Sequence, residues 1–496
     1  MLFNSYTFIV FLVIVLVLHN ATRLPWKVKK INLLLASYIF YAVWNPPFII
    51  LLWISTVIDF IVGKRLFHEE NKLRRKALLI ISLVANLGML GFFKYGNFIL
   101  ENFVMMMAAI GLDYQPAAPD IILPVGISFY TFQTLCYTLD MYKRRIEPEK
   151  SFLNFALFVT FFPQLVAGPI VRPAQLLPQF HKPHTATSQQ FIKGLFLLSL
   201  GLFMKVVMAD TMLAASADTV FGARQILHPL DAWLGVLAFS GQIFFDFAGY
   251  STCAIGIAAC IGFTLPDNFR YPYAAIGFSD FWQRWHITLS TWLRDYLYIG
   301  LGGNRKGNFR TYINLMITML LGGLWHGASW TFVVWGGLHG TYLCVERLFR
   351  QKKSKDAAMV QEGTMPEQIP IVTAFLAPAF FGRKKVKMFF AALLTFFLVN
   401  ITWVFFRAND FPTAWRLLGS MFGLTDGSPI LPTIDMIKVG VVTVLLVGSH
   451  WLMRNTSVWQ VAQKTKWWVV GMAWAFLVIA LILSQKSSDS FIYFQF

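Results

Sequence analysis

Apolar stretches recur along the whole chain and are separated by shorter polar or basic segments. The longest of them lie at 3–18, 77–93, 121–142, 190–208, 231–263, 311–345, 387–406 and 467–484. About 20 consecutive apolar residues are enough for an α-helix to cross the hydrocarbon core of a bilayer. The pattern therefore predicts an all-α polytopic membrane protein, with about 11 to 13 membrane helices and additional helices at the interface.

The composition supports this prediction and gives one boundary. Of the 496 residues, 57% are hydrophobic and 13% are charged, and the mean hydropathy is +0.58. Soluble domains carry roughly twice that charged fraction, about 25%. The apolar pattern is interrupted at 350–388, where charged residues, Pro and Gln appear. We interpret the chain as a single integral-membrane domain, 1–496, with a cytoplasmic loop insertion at 350–388.

The formal net charge of +18 has two interpretations. Basic loops contact anionic lipids and set the topology of a membrane protein. A basic face also suits an anionic partner, such as a coenzyme or an acidic carrier protein. We expect membrane lipids among the partners and no nucleic acid.

The segment 279–298, SDFWQRWHITLSTWLRDYLY, is predicted as one amphipathic helix that begins at Ser279. Helical spacing places Trp285, Leu289, Trp292 and Tyr296 on one face and Arg284, Thr288, Thr291 and Asp295 on the adjacent face. This mixture of aromatic and polar residues suits a helix at the interface or along a polar funnel.

The stretch 311–345 is interpreted as one continuous helix with His326 near its middle and glycines on either side of it. His339 lies 13 residues further on and falls on nearly the opposite face of such a helix. We therefore interpret His339 as structural, unless the intervening glycines break the helix.

An ionisable side chain at membrane depth is a functional candidate, because burial in the bilayer costs several kcal/mol. His326 is either a catalytic residue or a core histidine that donates one hydrogen bond. His286, with Ser290 one turn away, is either functional or an interfacial anchor. Asp246, in an aromatic setting, either orients an imidazole or bonds to a nearby tyrosine or the backbone.

Several catalytic patterns are absent from the sequence, namely a GxSxG elbow, a Walker phosphate loop, an HExxH motif and a CxxC pair. No metal site is predicted. Histidines at depth together with hydroxyl groups suit either general-base acyl transfer or a proton relay.

Two long motifs resemble the membrane-bound O-acyltransferase (MBOAT) family, in particular its bacterial alginate O-acetyltransferase branch. They are FWQRWHITLSTWLRDYLYIGLGGNRKG and NLMITMLLGGLWHGASWTFVVWGGLHG. Shorter matching stretches are LPVGISFYTFQ, FFPQLVAGPIVRP, FFDFAGYS, WVFFRA and the terminal FIYFQF. The resemblance implies that His326 is the essential histidine and His286 the second motif histidine. It also implies a ring or funnel of membrane helices.

The resemblance implies a membrane O-acyltransferase in the bacterial cytoplasmic membrane. We expect catalytic roles for His326 and His286, and substrate contacts from Trp285, Ser290, Trp325 and Asp246. No cofactor would be permanently bound. The acyl donor on the cytoplasmic face would be acetyl-CoA or an acyl-phosphopantetheine carrier. The acceptor would be an extracellular polysaccharide such as alginate or cellulose, reached with a periplasmic acetyltransferase partner.

Two alternatives stay open at this point. In the first, an acyl carrier protein donates a D-alanyl-type group to a cell-wall polymer, as in the teichoic-acid D-alanyl transferase relatives. In the second, the protein is a proton-coupled transporter, with His326 and Asp246 as a proton relay.

Overall fold

The computed structural model describes residues 1–20, 23–117, 119, 121–361, 383–424 and 426–484. Over these ranges the chain is helical, and its β-structure is limited to one isolated bridge between Leu227 and Ser428. The predicted all-α class is confirmed.

Among the residues that the structure describes, six helical segments are long and apolar enough to cross a membrane, judged by length and composition. They are Pro46–His68, Lys72–Ala109, Ser188–Gly222, Pro229–Ile261, Val386–Arg407 and Thr433–Met453. Two shorter apolar helices are Tyr6–Asn20 and Trp467–Leu483. The total of about 11 to 13 membrane helices stays a prediction.

The chain forms two compact units. Unit 1 consists of Met1–Thr211, Ile243–Asp267 and Ala462–Phe496. Its helices are α1 Tyr6–Asn20, α2 Trp26–Ala42, α3 Ile49–His68, α4 Lys72–Ala109, α5 Ile127–Tyr142, α6 Phe152–Thr160, α7 Phe162–Leu165, α8 Pro173–His181, α9 Ser188–Leu202 and α20 Trp467–Leu483. A π-helical segment, Phe203–Ala214, continues α9 without a break.

Unit 2 consists of Met212–Gln242 and Asn268–Val461. Its helices are α10 Ala215–Gly222, α12 Phe278–Trp282, α13 Ile287–Trp292, α14 Gly307–His326, α15 Trp330–Gln361, α16 Arg383–Arg407, α17 Phe411–Met421, α18 Thr433–Met453 and most of α19 Val458–Lys464. The long helix α11, Pro229–Ile261, contributes residues to both units.

The prediction of one continuous helix over 279–298 is wrong. The structure has α12, then a turn, then α13, and a π-helical segment Leu293–Tyr298. The break lies at His286, whose backbone is left-handed with φ 42° and ψ 54°. Such a residue cannot continue a right-handed helix. The aromatic face and the polar face predicted for 279–298 therefore do not form on one helix.

The prediction of one continuous helix over 311–345 is also wrong. Helix α14 ends at His326, and α15 begins at Trp330 and packs back against it. Ser329 starts α15, since its hydroxyl accepts from the backbone N–H of Thr331 at 3.3 Å. A Cβ atom on Gly327 would overlap the ring of Phe332. Only glycine therefore fits this tight turn.

The predicted loop 350–388 is helical at both of its described ends. Helix α15 extends into it as far as Gln361 and α16 starts at Arg383. The intervening residues 362–382, and the terminal FIYFQF motif, lie outside the described residues.

Candidate active site

His326 is the last residue of α14 and is almost fully buried, with 3% of its surface exposed. Aromatic rings surround it. The centroids of Trp325, Trp335 and Phe406 lie 5.0, 5.0 and 5.4 Å from the centroid of the imidazole. An imidazole enclosed in this way is shielded from bulk water, and the low local dielectric strengthens each polar contact that it makes.

The position of His326 follows from the close approach of α14 and α15. A Cβ on Gly323 would overlap the carbonyl oxygen of Phe332 and lie 3.1 Å from the Cα of Gly336. A Cβ on Gly336 would in turn overlap the carbonyl of Met319. Small residues let helix backbones meet in this way. The hairpin is therefore packed backbone to backbone within one turn of His326.

His286 is fully buried and stands immediately before α13. Its Nδ1 lies 3.1 Å from Oδ1 of Asn268, and its carbonyl accepts from the backbone N–H of Ser290 at 2.9 Å. Its left-handed backbone costs of order 1–3 kcal/mol, and such strain clusters at functional sites.

The structure brings the two motif histidines together. The ring centroids of His286 and His326 are 6.5 Å apart, with 63° between the ring planes. Trp325 lies beside both, 5.9 Å from His286. The predicted residues His286, Trp325 and His326 therefore form one buried cluster, which we call the histidine cluster.

Trp285 and Ser290 occupy different surroundings. Trp285 is fully buried, stacks on Phe281 at 5.8 Å and contacts Trp403 at 5.1 Å. The hydroxyl of Ser290 donates to the carbonyl of Trp285 at 3.1 Å. Ser290 lines a cavity, whereas Trp285 lies in the aromatic core behind it.

The cavity has a volume of about 750 Å³, and its lining includes Ile287 and Ser290, which follow His286 in the chain. Its wall combines apolar side chains with hydroxyl groups and three arginines. Arg294 pairs with Asp295 at 2.6 Å, and Arg350 pairs with Glu346. The third, Arg347, has a buried Nε without a hydrogen-bond partner among the described residues. The Nε–H of Arg347 is therefore a buried donor to which the described residues offer no acceptor.

An ion network holds the segment that carries His286. Asp280 pairs with Arg284 at 2.7 Å and with Arg454 at 2.5 Å, and accepts from the backbone N–H of Ile276 at 2.9 Å. Burial would raise the pKa of Asp280, but these hydrogen bonds outweigh it and lower the pKa below its ordinary value. One carboxylate oxygen of Glu346, Oε2, accepts from the backbone N–H groups of Phe278 and Ser279, the first two residues of α12.

Asp246 belongs to unit 1 and not to the unit of the histidine cluster. It forms an ion pair with Lys205, which also binds Asp210 at 2.8 Å. Two carboxylates thus share one buried ammonium. The sequence pattern did not indicate Lys205 as a partner of Asp246.

Three features were missed by sequence reasoning. Asn268 binds His286 but lies 18 residues before it, and a polar residue in an irregular segment gives no pattern. The sequence pattern does not distinguish Trp335 from the other aromatic residues near it. His339 was expected on the far face from His326. It lies one turn after Trp335 on α15, with the ring centroids 4.8 Å apart, and Trp335 contacts His326 because the chain turns back at Gly327. Nε2 of His339 lies 3.0 Å from the hydroxyl of Thr402.

Within the described ranges, no group of three or more His, Cys, Asp or Glu side chains could hold a metal ion.

Comparison with known proteins identifies the family. Residues 148–382, which include both motif histidines, match the model of the membrane-bound O-acyltransferase family. The chain is 40% identical to a protein named "Probable alginate O-acetylase AlgI" from Azotobacter vinelandii, over 86% of this chain and 79% of that protein. It is 35% identical to a "Peptidoglycan O-acetyltransferase" from Helicobacter pylori, over 94% of this chain and 91% of that protein.

A more distant relative is a "Teichoic acid D-alanyltransferase" from Streptococcus thermophilus, 27% identical over 54% of this chain and 69% of that protein. The extent of the nearer matches covers the histidine cluster, the cavity and both units. The chain belongs to the membrane-bound O-acyltransferase family.

Proposed function

We propose that this multi-pass protein of the bacterial cytoplasmic membrane transfers an acetyl group from a cytoplasmic thioester to an extracellular polysaccharide, with His326 as the general base. The observation that carries the proposal is the histidine cluster. Two buried imidazoles lie 6.5 Å apart, and residues that follow His286 in the chain line a cavity large enough for a ligand of several hundred Å³.

The chemistry follows from the donor. A thioester is already activated, so the protein has to bind it, exclude water and accept a proton from the acceptor hydroxyl. His326 would take that proton as the hydroxyl oxygen attacks the acyl carbon. The carbon–sulfur bond then breaks, and the thiolate receives the proton. Removing this histidine should therefore abolish transfer and leave the fold in place.

The cavity is the place we propose for the donor. Both candidate donors, acetyl-CoA and an acyl-phosphopantetheine carrier, present a phosphate followed by a flexible arm that ends in the thioester. Arg347 would bind the phosphate, since arginine binds phosphate oxygens well. Ser290 and Ile287 would contact the arm near the histidine cluster. We favour acetyl-CoA, because acetyl transfer is named in the nearer relatives and D-alanyl transfer in the more distant one.

The acceptor is proposed from the names of the relatives. The Azotobacter protein is named for alginate and the Helicobacter protein for peptidoglycan. Both acceptors are glycans with free hydroxyl groups, so we propose an extracellular glycan, reached directly or through a periplasmic acetyltransferase partner. Family membership favours this reaction over the proton-coupled transporter.

The test is acetyl transfer from radiolabelled acetyl-CoA in proteoliposomes, with label and free thiol followed together. We expect wild type to consume the thioester and His326→Gln to lose at least 100-fold in rate, within the range that general-base catalysis contributes, about 10² to 10⁴. The control is His19→Gln, which changes an equally buried histidine of unit 1. Equal rates for wild type and a folded His326→Gln would refute the role of His326.

A further inference from the structure

Asn268 reaches His286 from an irregular segment between α11 and α12. It is almost fully buried, with 1% of its surface exposed. Its backbone carbonyl accepts from the N–H of Ile287 at 2.9 Å. Its side-chain Oδ1 lies close to three polar groups, namely the backbone N–H and the hydroxyl of Thr288 and the Nδ1 of His286. One amide oxygen thus connects the imidazole of His286 with Thr288 in the first turn of α13.

The orientation of this amide follows from one unambiguous donor. A backbone N–H can only donate, and that of Thr288 points at Oδ1 of Asn268 from 3.2 Å. The atom that faces it must therefore be the oxygen and not the NH₂ group of the amide. The hydroxyl of Thr288, 2.8 Å away, donates to the same oxygen.

The protonation of His286 follows from this orientation. Nδ1 of His286 lies 3.1 Å from an oxygen that can only accept, so Nδ1 carries a proton. A neutral imidazole has one N–H donor and one acceptor nitrogen. The acceptor nitrogen is then Nε2. The ring of Phe269, next in the chain to Asn268, lies 6.4 Å from the imidazole and nearly parallel to it, so the ring orientation is defined on a second side.

We infer that Asn268 is a positioning residue, which holds His286 in the Nδ1–H form and directs its Nε2 to the reaction as a hydrogen-bond acceptor. The catalytic role of Asn268 in this inference rests on the proposed function. The tautomer itself is a property of the resting protein. A base or acceptor role for Nε2 requires this tautomer, as in enzymes where a partner fixes the free nitrogen of a reactive histidine.

The test compares two substitutions of Asn268 with a matched control. Asn268→Leu has the same number and branching of side-chain heavy atoms and removes the acceptor. We expect kcat to fall about 10- to 100-fold, as for the outer partners of metal-bound histidines, with little change in the KM for acetyl-CoA. Asn268→Asp keeps the acceptor oxygen. We expect it to retain activity, with the acidic side of its pH profile moved to higher pH, because a carboxylate favours the charged imidazole.

The control is Asn400→Leu, which removes another fully buried asparagine whose side chain donates to the carbonyl of Phe396 at 2.8 Å. Asn400→Leu should keep its activity within about threefold of wild type, even if its thermal unfolding temperature falls as far as that of Asn268→Leu. A loss of activity that simply follows stability in both variants would overturn the positioning role.

A direct readout does not depend on activity. Nitrogen NMR of ¹⁵N-histidine protein, with the His286 signals assigned by their loss in His286→Gln, reports which ring nitrogen carries the proton. We expect Nδ1–H for wild type and Asn268→Asp, and Nε2–H or a mixture for Asn268→Leu. An Nε2–H signal in wild type would refute the inference. If wild type shows Nδ1–H but does not transfer acetyl, the proposed function fails and the tautomer stands.

Discussion

Gly323→Ala is the sharpest test of how the hairpin of α14 and α15 places His326. The new Cβ would overlap the carbonyl oxygen of Phe332 and lie 3.1 Å from the Cα of Gly336, where ordinary contacts begin at 3.4 Å. Backbone atoms cannot yield as a flexible side chain would. The helices must separate by roughly 1 Å, at about 1–3 kcal/mol of stability.

The expected loss of activity is larger than the loss of stability suggests. His326 lies one turn beyond Gly323 on the same helix, so it moves with α14. A misplacement of about 1 Å can cost 10²-fold in rate. We expect kcat for acetyl transfer to fall 30- to 100-fold, while the thermal unfolding temperature shows that the fold persists.

The matched control is Gly337→Ala. It lies next to Gly336 on α15, and its new Cβ would meet a side-chain carbon of Leu320 at an ordinary 3.5 Å. Helix propensity changes equally in both variants. Rates for Gly323→Ala within threefold of Gly337→Ala, in proteoliposomes with equal amounts of folded protein, would show that this close approach does not position the site.

Two further predictions concern charges. Lys205→Met removes the ammonium that pairs with the buried carboxylate of Asp246. It should therefore lower the thermal unfolding temperature in detergent more than the double variant Lys205→Met/Asp246→Asn does. Equal decreases in the two variants would contradict the buried ion pair. Asp280→Asn should lower the unfolding temperature at pH 7, where the ionised carboxylate binds Arg284 and Arg454. Because the pKa of Asp280 is lowered in the fold, its contribution is present above the ordinary value of 3.8 and is lost as the pH falls through the lowered value. The difference between the two proteins should therefore narrow below pH 3.8, and a constant difference would exclude ionisation as its cause.

Periodicity and composition were enough for the fold class, since long apolar stretches permit only membrane helices. The resemblance of two motifs was enough to pair His286 with His326, which lie 40 positions apart. The family is confirmed by relatives that are 40% and 35% identical. The roles of the individual site residues stay predictions that the experiments above test.

The turns at Gly327 and His286 were not predicted from the local pattern. The run around Gly327 contains no proline, and its apolar residues favour a continuous helix, although Gly327 and Ser329 are residue types that often end and begin helices. The chain turns there because backbone packing between α14 and α15 stabilises a hairpin, which is a long-range effect. The break at His286 depends in the same way on Asn268, 18 residues away. Sequence patterns report neighbours along the helix and not such contacts.

The π-helical segment Phe203–Ala214 has a consequence for how this chain tolerates change. Bonds in it join residues five apart, as in Lys205 with Asp210 and the hydroxyl of Thr211 with the carbonyl of Val206. In an α-helix, five residues turn through about 500°, which leaves the fifth about 140° from the first. Deleting one residue between Lys205 and Asp210 would restore the ordinary register and rotate everything beyond it, to Gly222, around the helix axis. A deletion in this stretch should therefore be tolerated less well than a substitution at a position outside the Lys205–Asp210 pair.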